Sequence, residues 1–294
     1  MNRVSQRHVL VVLSCLMLAL ATRAHAAEKI KVLLIDGQNN HNWQVSTPAL
    51  KKMLEDTGRF AVEVATTPPR GAKEDAWAKF SPDFARYDVV LSNYTGTMWP
   101  KDVCAAFEKY MEGGGGLVFY HAAVFAFPQW QRWNEMMGMG WRKNNYGDRV
   151  TIDDSGKVVR TPKGEGPGGG HGPAHSFEIT VRDKDHPVMK GLPAKWTHAK
   201  DELYHGMRGP AKNMHIIATA FSDKKTRGTG TNEPMVWTVP AGKGRVLVTL
   251  MGHDVKALTD PGAAAVLTRG VEWAATGKVT LPVPKELTAA AETK

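Results

Sequence analysis

Short apolar runs separated by amphipathic segments dominate the first half of the chain and predict buried strands that alternate with helices. The runs are too short for helices and rich in Val, Ile and Leu, as expected for strands covered on both faces. They lie at 30–35, 60–65, 88–91 and 117–120. Residues 49–54 and 100–111 carry helical periodicity, and Ser46-Thr47-Pro48 is a candidate cap for the first helix. This alternation favours an α/β fold with a mostly parallel central sheet.

The second half of the chain is less regular. Further strands are predicted at 176–181, 215–220, 235–239 and 245–251, and a closing helix at 262–275. Between them, residues 144–175 contain six glycines within 164–172, which predicts a long excursion over one edge of the domain. Such excursions in compact domains tend to be functional lids or disordered segments.

The first 26 residues have the features of a secretory signal peptide. Arg3 and Arg7 precede an apolar stretch at 9–21, and Ala24-His25-Ala26 resembles a cleavage site. The stretch is shorter than the ~20 residues of a membrane-spanning helix. We therefore predict cleavage near Ala26, export to a periplasm-like compartment and no remaining membrane anchor. The mature chain then comprises an α/β domain at 27–280 and a polar tail at 281–294.

Charge and cysteine content narrow the functional classes. Removing residues 1–26 removes three arginines and no acidic residue, so the net charge falls from +9 to +6. The remaining basic residues are scattered, which argues against a nucleic-acid partner. Cys104 is the one cysteine of the predicted mature chain, so an internal disulfide is not expected.

The segment GGGGLVFYHAA at 113–123 places a histidine where a buried strand ends. The glycines precede the strand, whereas a phosphate-binding loop follows one, so no nucleotide cofactor is expected. Many α/β enzymes carry a nucleophilic serine or cysteine at this corner. Here it is His121, and residues 117–127 contain no serine, threonine or cysteine. A covalent acyl mechanism is therefore not expected.

Other histidines also follow predicted strands, and ligands of parallel sheets bind at the carboxyl ends of the strands. His41 and His253 lie in such positions, and Glu202 precedes His205 in a separate polar segment. Together with His121 they form a candidate metal set of His41, His121, His205 and His253, with zinc as the first choice. No HExxH-type motif supports it, and a single histidine is more often a structural hydrogen-bonding residue. Catalytic roles are predicted for His121, Glu202 and Tyr204.

The remaining histidines are not predicted to belong to the site. His186 precedes a proline and is expected in a structural turn. His198 and His215 are expected at the surface. His171 and His175 lie on the glycine-rich excursion, and the sequence leaves their place open.

Aromatic and amide side chains near these loops are candidates for contact with a sugar. Trp43, Tyr94 and Trp99 flank the predicted strand ends, and Asn40 lies in the loop that carries His41. Aromatic rings beside polar groups make good sugar platforms, but they serve equally often as ordinary wall packing.

A series of short motifs resembles the trehalose-utilisation (ThuA-like) family, within the class I glutamine amidotransferase-like superfamily. The motifs span about residues 29–277. In chain order they are GQNNHNW at 37–43, GGGLVFYH at 114–121, HP at 186–187, DELY at 201–204, PMVW at 234–237, GKGRV at 242–246 and GH at 252–253.

This resemblance implies a flavodoxin-like three-layer sandwich and a link to sugar catabolism. It also implies that His121 replaces the amidotransferase cysteine, so glutaminase activity is not expected. The family's association with glycosides oxidised at the sugar 3-position suggests work on 3-keto sugars with a bound metal.

Two hypotheses result. In the first, the protein is an exported metal-assisted lyase, hydrolase or isomerase that acts on a 3-keto sugar or glycoside. In the second, it is a non-catalytic carbohydrate-binding protein. In both, the partner is a small carbohydrate. The identity of the sugar and the oligomeric state stay open.

Overall fold

The computed structural model describes residues 28–292, so the predicted signal peptide lies outside the described residues. The strands are β1 (Ile30–Asp36), β2 (Phe60–Thr66), β3 (Val89–Ser92), β4 (Gly116–Tyr120), β5 (Arg149–Ile152), β6 (Val158–Thr161), β7 (Gly170–His171), β8 (His175–Val181), β9 (Lys195–Asp201), β10 (Tyr204–His205), β11 (His215–Phe221), β12 (Asn232–Ala241) and β13 (Gly244–Thr249). The α-helices are α1 (Trp43–Asp56), α2 (Glu74–Trp77), α3 (Lys101–Gly113), α4 (Gln131–Met137), α5 (Val255–Leu258), α6 (Pro261–Thr276) and α7 (Lys285–Glu292).

The structure is mixed α/β, built on one large sheet with the strand order β2-β1-β3-β4-β13-β12-β11-β8-β9. The five strands from β2 to β13 run parallel. From β13 to β9 every neighbouring pair is antiparallel. The prediction of a mostly parallel sheet therefore holds at the core of the sheet, whereas the other half is antiparallel. The reason is local, because two residues join β12 to β13, too few for the crossover that parallel strands need.

The parallel strands form the buried centre of the domain. All residues of β3 and β4 are buried. Helix α6 packs on β4 and β13, and the approach is close: a Cβ on Gly116 would lie 2.7 Å from the backbone of Ala274. A glycine at the start of β4 is thus required by helix packing.

Helix α1 begins earlier than its sequence predicts. Ser46 and Thr47 were expected to cap it, but it begins at Trp43 and both residues are buried inside it. Their hydroxyl oxygens lie 3.0 and 3.1 Å from Nδ2 of Asn93, which donates to them. These hydroxyls therefore tie α1 to the loop after β3.

The glycine-rich excursion is ordered and tied to the domain. Strand β7 within it pairs with β10. The fully buried guanidinium of Arg208 donates to the carbonyls of Pro162 and Pro167, at 3.1 and 2.7 Å, and to that of Glu165. A segment with few side chains to bury is thus fixed through its backbone.

The predicted polar tail is helical in part. Residues 285–292 form α7, whose Leu287 is buried against the core, and Nη1 of Arg269 donates to the Leu281 carbonyl at 2.6 Å. Among the described residues, no helix is long and apolar enough to cross a membrane. Cys104 lies buried in α3, and burial raises its pKa to about 12, so the thiol is inert.

Candidate active site

Four histidines surround one carboxylate at the carboxyl edge of the parallel strands. Oε2 of Glu202 lies 3.7 Å from Nε2 of His41 and 3.9 Å from Nε2 of His121. Oε1 of Glu202 lies 3.4 Å from Nε2 of His253 and 3.7 Å from Nε2 of His171. The ring centroids of His41, His121 and His253 lie 4.7–5.8 Å apart. Residues more than 200 positions apart thus share one site.

Three of these histidines come from the ends of parallel strands. His41 follows β1, His121 follows β4 and His253 follows β13. The backbone N–H of His41 donates to Oδ1 of Asn39 at 2.9 Å, and Nδ2 of Asn39 donates to Asn93 Oδ1 at 3.0 Å. The loop after β1 is therefore fixed to the loop after β3.

The turn before His253 requires a glycine. Gly252 has a φ of +112°, and a Cβ there would lie 2.6 Å from the ring of Tyr120. The hydroxyl of Tyr120 donates to the Gly252 carbonyl. A buried aromatic from β4 thus sets the turn that presents His253.

His121 is a buried, neutral imidazole. Its backbone has a φ of +42°, uncommon for a residue with a side chain and frequent at functional corners. Nδ1 lies 2.6 Å from the Leu250 carbonyl, which can only accept, so Nδ1 carries the hydrogen and Nε2 a lone pair. That Nε2 is buried and has no hydrogen-bond partner among the described residues. Burial, aided by the nearby His41 and His253, lowers the pKa of His121 to about 4.

His171, whose place the sequence left open, joins the site from β7. Its Nδ1 lies 2.7 Å from the Gly172 carbonyl, so Nδ1 is again the donor. Its side chain is 35% exposed, against 2% for His121. His171 is therefore accessible to a ligand where His121 is covered. His175, four residues on, is exposed at Nδ1, which bonds the Pro173 carbonyl at 2.9 Å.

Glu202 stays ionised because the imidazoles outweigh its burial. Burial opposes the charge, but His41 first, and then His253, His171 and His121, lower the pKa of Glu202. The site therefore contains an ionised carboxylate surrounded by four imidazole rings.

Tyr204 and Trp141 form an aromatic wall beside the histidines. The Tyr204 ring lies 4.4 Å from that of His121 and 4.8 Å from that of Trp141, centroid to centroid. Burial and the charges of Glu202 and Asp201 raise the pKa of the Tyr204 phenol well above its ordinary value, so it keeps its proton. Trp141 stacks on Phe125 at 4.6 Å. Trp141 gave no signal in the sequence, because its loop follows no predicted strand.

Two predicted sugar-binding aromatics lie in the core. Tyr94 is 0% and Trp99 2% exposed, within an aromatic cluster that includes Phe127. The Tyr94 hydroxyl donates to the Thr97 carbonyl at 2.7 Å. Both rings pack against other aromatic side chains of the core and offer no surface to a ligand, as the wall-packing alternative expects. Asn40 is exposed and Trp43 half-buried beside His41, so their substrate role stays a prediction.

His205 lies outside the cluster of His41, Glu202 and His253. Strand residues alternate in direction, so His205 points away from its neighbour Tyr204, and its Nδ1 lies 3.2 Å from the Ser222 hydroxyl. The proposed metal ligands therefore do not include His205, which was predicted as one.

His198 was expected at the surface, and this is wrong: its side chain is fully buried between Asp201 and Asp260. No strand was predicted at 195–201, although the alternation of β9 places His198 on the same face as the buried Trp196. His215 is exposed, as expected, and pairs with Asp183 at 3.1 Å. His186 forms the expected turn, its Nδ1 accepting from the Val188 N–H at 3.2 Å.

Comparisons with known proteins agree with this architecture. The model of the ThuA family, described as trehalose utilisation, matches residues 31–274. A ThuA-like protein from Parabacteroides merdae is 46% identical, with a TM-score of 0.84 over 88% of this chain and 95% of that one. Another from Bacteroides uniformis is 20% identical, with a TM-score of 0.56 over 85% and 93%, and shows the fold alone. A search of curated proteins found no match. The chain belongs to the ThuA family.

Proposed function

We propose that this protein is a carbohydrate-processing enzyme whose site binds a divalent metal ion, with zinc as the first choice. Membership of the ThuA family suggests a carbohydrate-related role. The finer proposal is the one made from the sequence: a lyase, hydrolase or isomerase that acts on a 3-keto sugar or glycoside after export. The flavodoxin-like layering implied by the resemblance likewise stays a prediction.

The observation that carries the metal proposal is the environment of His121 Nε2. This atom holds a lone pair, is buried, and lies 3.9 Å from Oε2 of an ionised carboxylate. Two acceptors that face each other repel unless a proton or a cation lies between them. The pKa of His121, near 4, argues against a proton at neutral pH. A cation between the two atoms would satisfy both acceptors, which supports the metal proposal.

The donor set fits zinc. Ligand atoms at about 2.0–2.2 Å from a tetrahedral zinc lie roughly 3.3–3.6 Å apart. His253 and His41 lie 3.4 and 3.7 Å from Glu202, and one ligand atom from each of the three residues fits within 4.8 Å. His41, Glu202 and His253 would hold the ion, and His121 would supply a further nitrogen. When bound, the ion would polarise a substrate carbonyl oxygen.

The accessible groups of the chain can move protons. A carbonyl at sugar C3 acidifies the C2–H bond, so a nearby imidazole can remove that proton. Nδ1 of His171 donates to the Gly172 carbonyl and the side chain is partly exposed, so we assign the role of base to its Nε2. The electron pair of the C2–H bond then forms the C1–C2 double bond, and the C1–O bond to the aglycone breaks. The phenol of Tyr204 keeps its proton and would donate a hydrogen bond to an oxygen atom of the substrate.

A cavity of about 490 Å³, which is connected to the histidines through Trp141, is the proposed substrate-binding cavity. It is lined by Trp141, Arg142, Lys143, Asn144 and the glycines at 168–169. The Trp141 ring lies 5.7 Å from that of His171. An apolar ring with amide and ammonium groups at the rim is the combination that sugars use, with the ring against C–H faces and the polar groups on hydroxyls.

Metal analysis of the mature protein tests the metal proposal. Metal-replete protein is dialysed and analysed by mass spectrometry; we expect about one divalent ion per chain and a raised thermal midpoint on adding zinc. His41→Ala should abolish both. His175→Ala is the matched control, because this half-buried histidine bonds the Pro173 carbonyl and forms no pair with Glu202. Less than ~0.2 ion per chain, with no shift of the thermal midpoint on adding zinc, would contradict the metal proposal.

Turnover separates the enzyme from the non-catalytic binder. The wild-type protein and His171→Ala are incubated with 3-keto glycosides and the released aglycone is measured, while sugar affinity is followed by calorimetry. We expect turnover by the wild type and retained affinity with lost turnover in the variant. Sugar binding without turnover of any oxidised glycoside would favour the binding protein.

A further inference from the structure

The carboxylate of Asp201 holds the backbone of two site residues at once. Oδ1 accepts the N–H of Glu202 at 2.7 Å and the N–H of His253 at 3.1 Å. Oδ2 accepts the N–H of Gly252 at 2.7 Å. One buried side chain thus connects the end of β9 with the turn after β13, although the two strands are not neighbours in the sheet.

The same carboxylate is held by a buried imidazolium. Nε2 of His198 lies 2.8 Å from Oδ2 of Asp201, and Nδ1 lies 3.3 Å from Oδ1 of Asp260. Carboxylates only accept, so both ring nitrogens donate and His198 is a cation. Burial alone would lower the pKa of His198, but the two carboxylates outweigh it and raise the pKa to about 9.

Asp260 links this pair to the closing helix. Its Oδ1 accepts the N–H of Gly262 at 3.2 Å and so caps α6, which packs on β4 and β13. The chain of contacts therefore runs from α6 through Asp260, His198 and Asp201 to the two site residues.

Strand β9 needs such a link because it is an edge strand, paired only with β8 along the sheet. Edge strands lack a second partner to fix their position. Glu202 follows β9 directly, so without lateral contacts its carboxylate would be the least constrained group of the site.

Stability alone does not account for a buried triad of this kind. Removing charges from water is costly, and replacing a buried ion pair by apolar side chains is often neutral or stabilising. What apolar residues could not supply are the acceptors for the N–H groups of Glu202, Gly252 and His253.

We propose that His198 is a positioning residue: by bridging Asp201 and Asp260 it fixes the carboxylate that sets Glu202 and His253 against each other. The inference rests on the proposed function only in assigning Glu202 and His253 to the ligand set. The bridge consists of contacts among His198, Asp201 and Asp260 alone, so its effect can be measured in metal-free protein.

The experiment compares His198→Gln and Asp260→Asn with the wild type in the full mature protein. Asp260→Asn keeps a capping side chain on α6, so it serves if His198→Gln does not fold. The matched control is His215→Gln, which removes the exposed pair with Asp183 far from this loop. Amide hydrogen exchange of a peptide spanning 250–256 is measured without metal, and zinc affinity by chelator competition.

Both bridge variants should exchange the N–H groups of Gly252 and His253 about tenfold faster or more. Zinc affinity should fall ~10–100-fold, as for other groups that orient metal ligands. His215→Gln should change neither. Unchanged exchange at 252–253 in both variants, with only a lower thermal midpoint, would overturn the positioning role. A wild-type protein that binds no zinc would instead contradict the proposed function, and the exchange result would still decide the inference.

Discussion

The two halves of the sheet contribute to the site in different ways. The parallel half supplies His41, His121 and His253 from the loops after β1, β4 and β13. The antiparallel half supplies Glu202 after the edge strand β9. The excursion supplies His171 from β7, which pairs with β10 in a separate two-stranded sheet. Imidazoles thus come from the rigid centre, and the carboxylate and the accessible base come from the periphery.

This difference indicates that the two regions have different roles in the site. The centre of the sheet is buried and fixed by adjacent parallel strands, so its histidines are suited to a constant ligand geometry. The periphery depends on added contacts, namely the Asp201 carboxylate and the carbonyls bound by Arg208. We expect changes in both regions to affect stability, through these added contacts at the periphery and through packing at the centre.

The largest expected effect is the loss of metal-linked stability in Glu202→Gln. At zinc 1,000-fold above its dissociation constant, binding should stabilise the wild type by about 4 kcal/mol, and the variant should lose nearly all of this. Glu178→Gln, on the exposed face of the same antiparallel half, is the control. Thermal unfolding with and without zinc measures the difference. An equal zinc shift in wild type and Glu202→Gln would show that Glu202 is no ligand.

The next effect is an opposite pH dependence in the two halves. His198 has a folded pKa of about 9, above its unfolded value of 6.5, so its contribution is full below pH 6.5 and is lost as pH rises through 9. His121 has a folded pKa of about 4, so its contribution is present above pH 6.5 and is lost as pH falls through 4. Each amounts to roughly 3 kcal/mol at most.

Urea unfolding of metal-free protein from pH 4 to pH 9 measures these two pH dependences of the free energy of unfolding. His198→Gln should flatten the alkaline limb of the stability profile, and His121→Gln the acid limb, whatever their effect on absolute stability. Parallel profiles for wild type and His198→Gln above pH 6.5 would contradict the buried imidazolium.

Glycine substitutions test the centre at a smaller scale. Gly252→Ala must hold a side chain at a φ of +112° and place Cβ 2.6 Å from the Tyr120 ring, so we expect a loss of about 2–3 kcal/mol. Gly156→Ala has a φ of +86° with no atom within 4 Å and should lose only about 1 kcal/mol. Denaturant midpoints measure both. Equal losses would show that contact with Tyr120 does not set the turn.

The smallest expected effect distinguishes the aromatic wall from the aromatic core. Trp141→Phe should weaken sugar binding by about 1 kcal/mol and leave stability nearly unchanged. Tyr94→Phe should leave sugar affinity unchanged and lower stability by about 1 kcal/mol, because it loses the hydrogen bond to Thr97. Calorimetry and denaturant unfolding check the two. A change of sugar affinity in Tyr94→Phe would show that the buried aromatic cluster contributes to sugar binding.

Patterns of apolar residues predicted much of the central fold. Strands β1 to β4 and the closing helix α6 lie where their apolar runs indicate, because buried strands and amphipathic helices leave a local signature. The direction of the later strands was mispredicted, since an apolar run such as β12 reads the same in a parallel or an antiparallel neighbour. The hairpin turn at Gly242 held the only local clue.

Part of the site was accessible in the same way. His41, His121 and His253 follow strands, and the rule for parallel sheets directs attention to them. His171 and Trp141 follow no such rule, because contacts with Tyr204 and the backbone of the excursion place them.

The sequence by itself determined the parallel core, the absence of a nucleophile at the His121 corner and the chemical character of the groups available, since each depends on residue type and local pattern. The tertiary structure decided which side chains face one another: it buried Tyr94 and Trp99, turned His205 away, and placed His198 between two carboxylates. The physical reason is that burial and pairing depend on contacts between segments far apart in the chain, and these contacts also set the charge state of each imidazole.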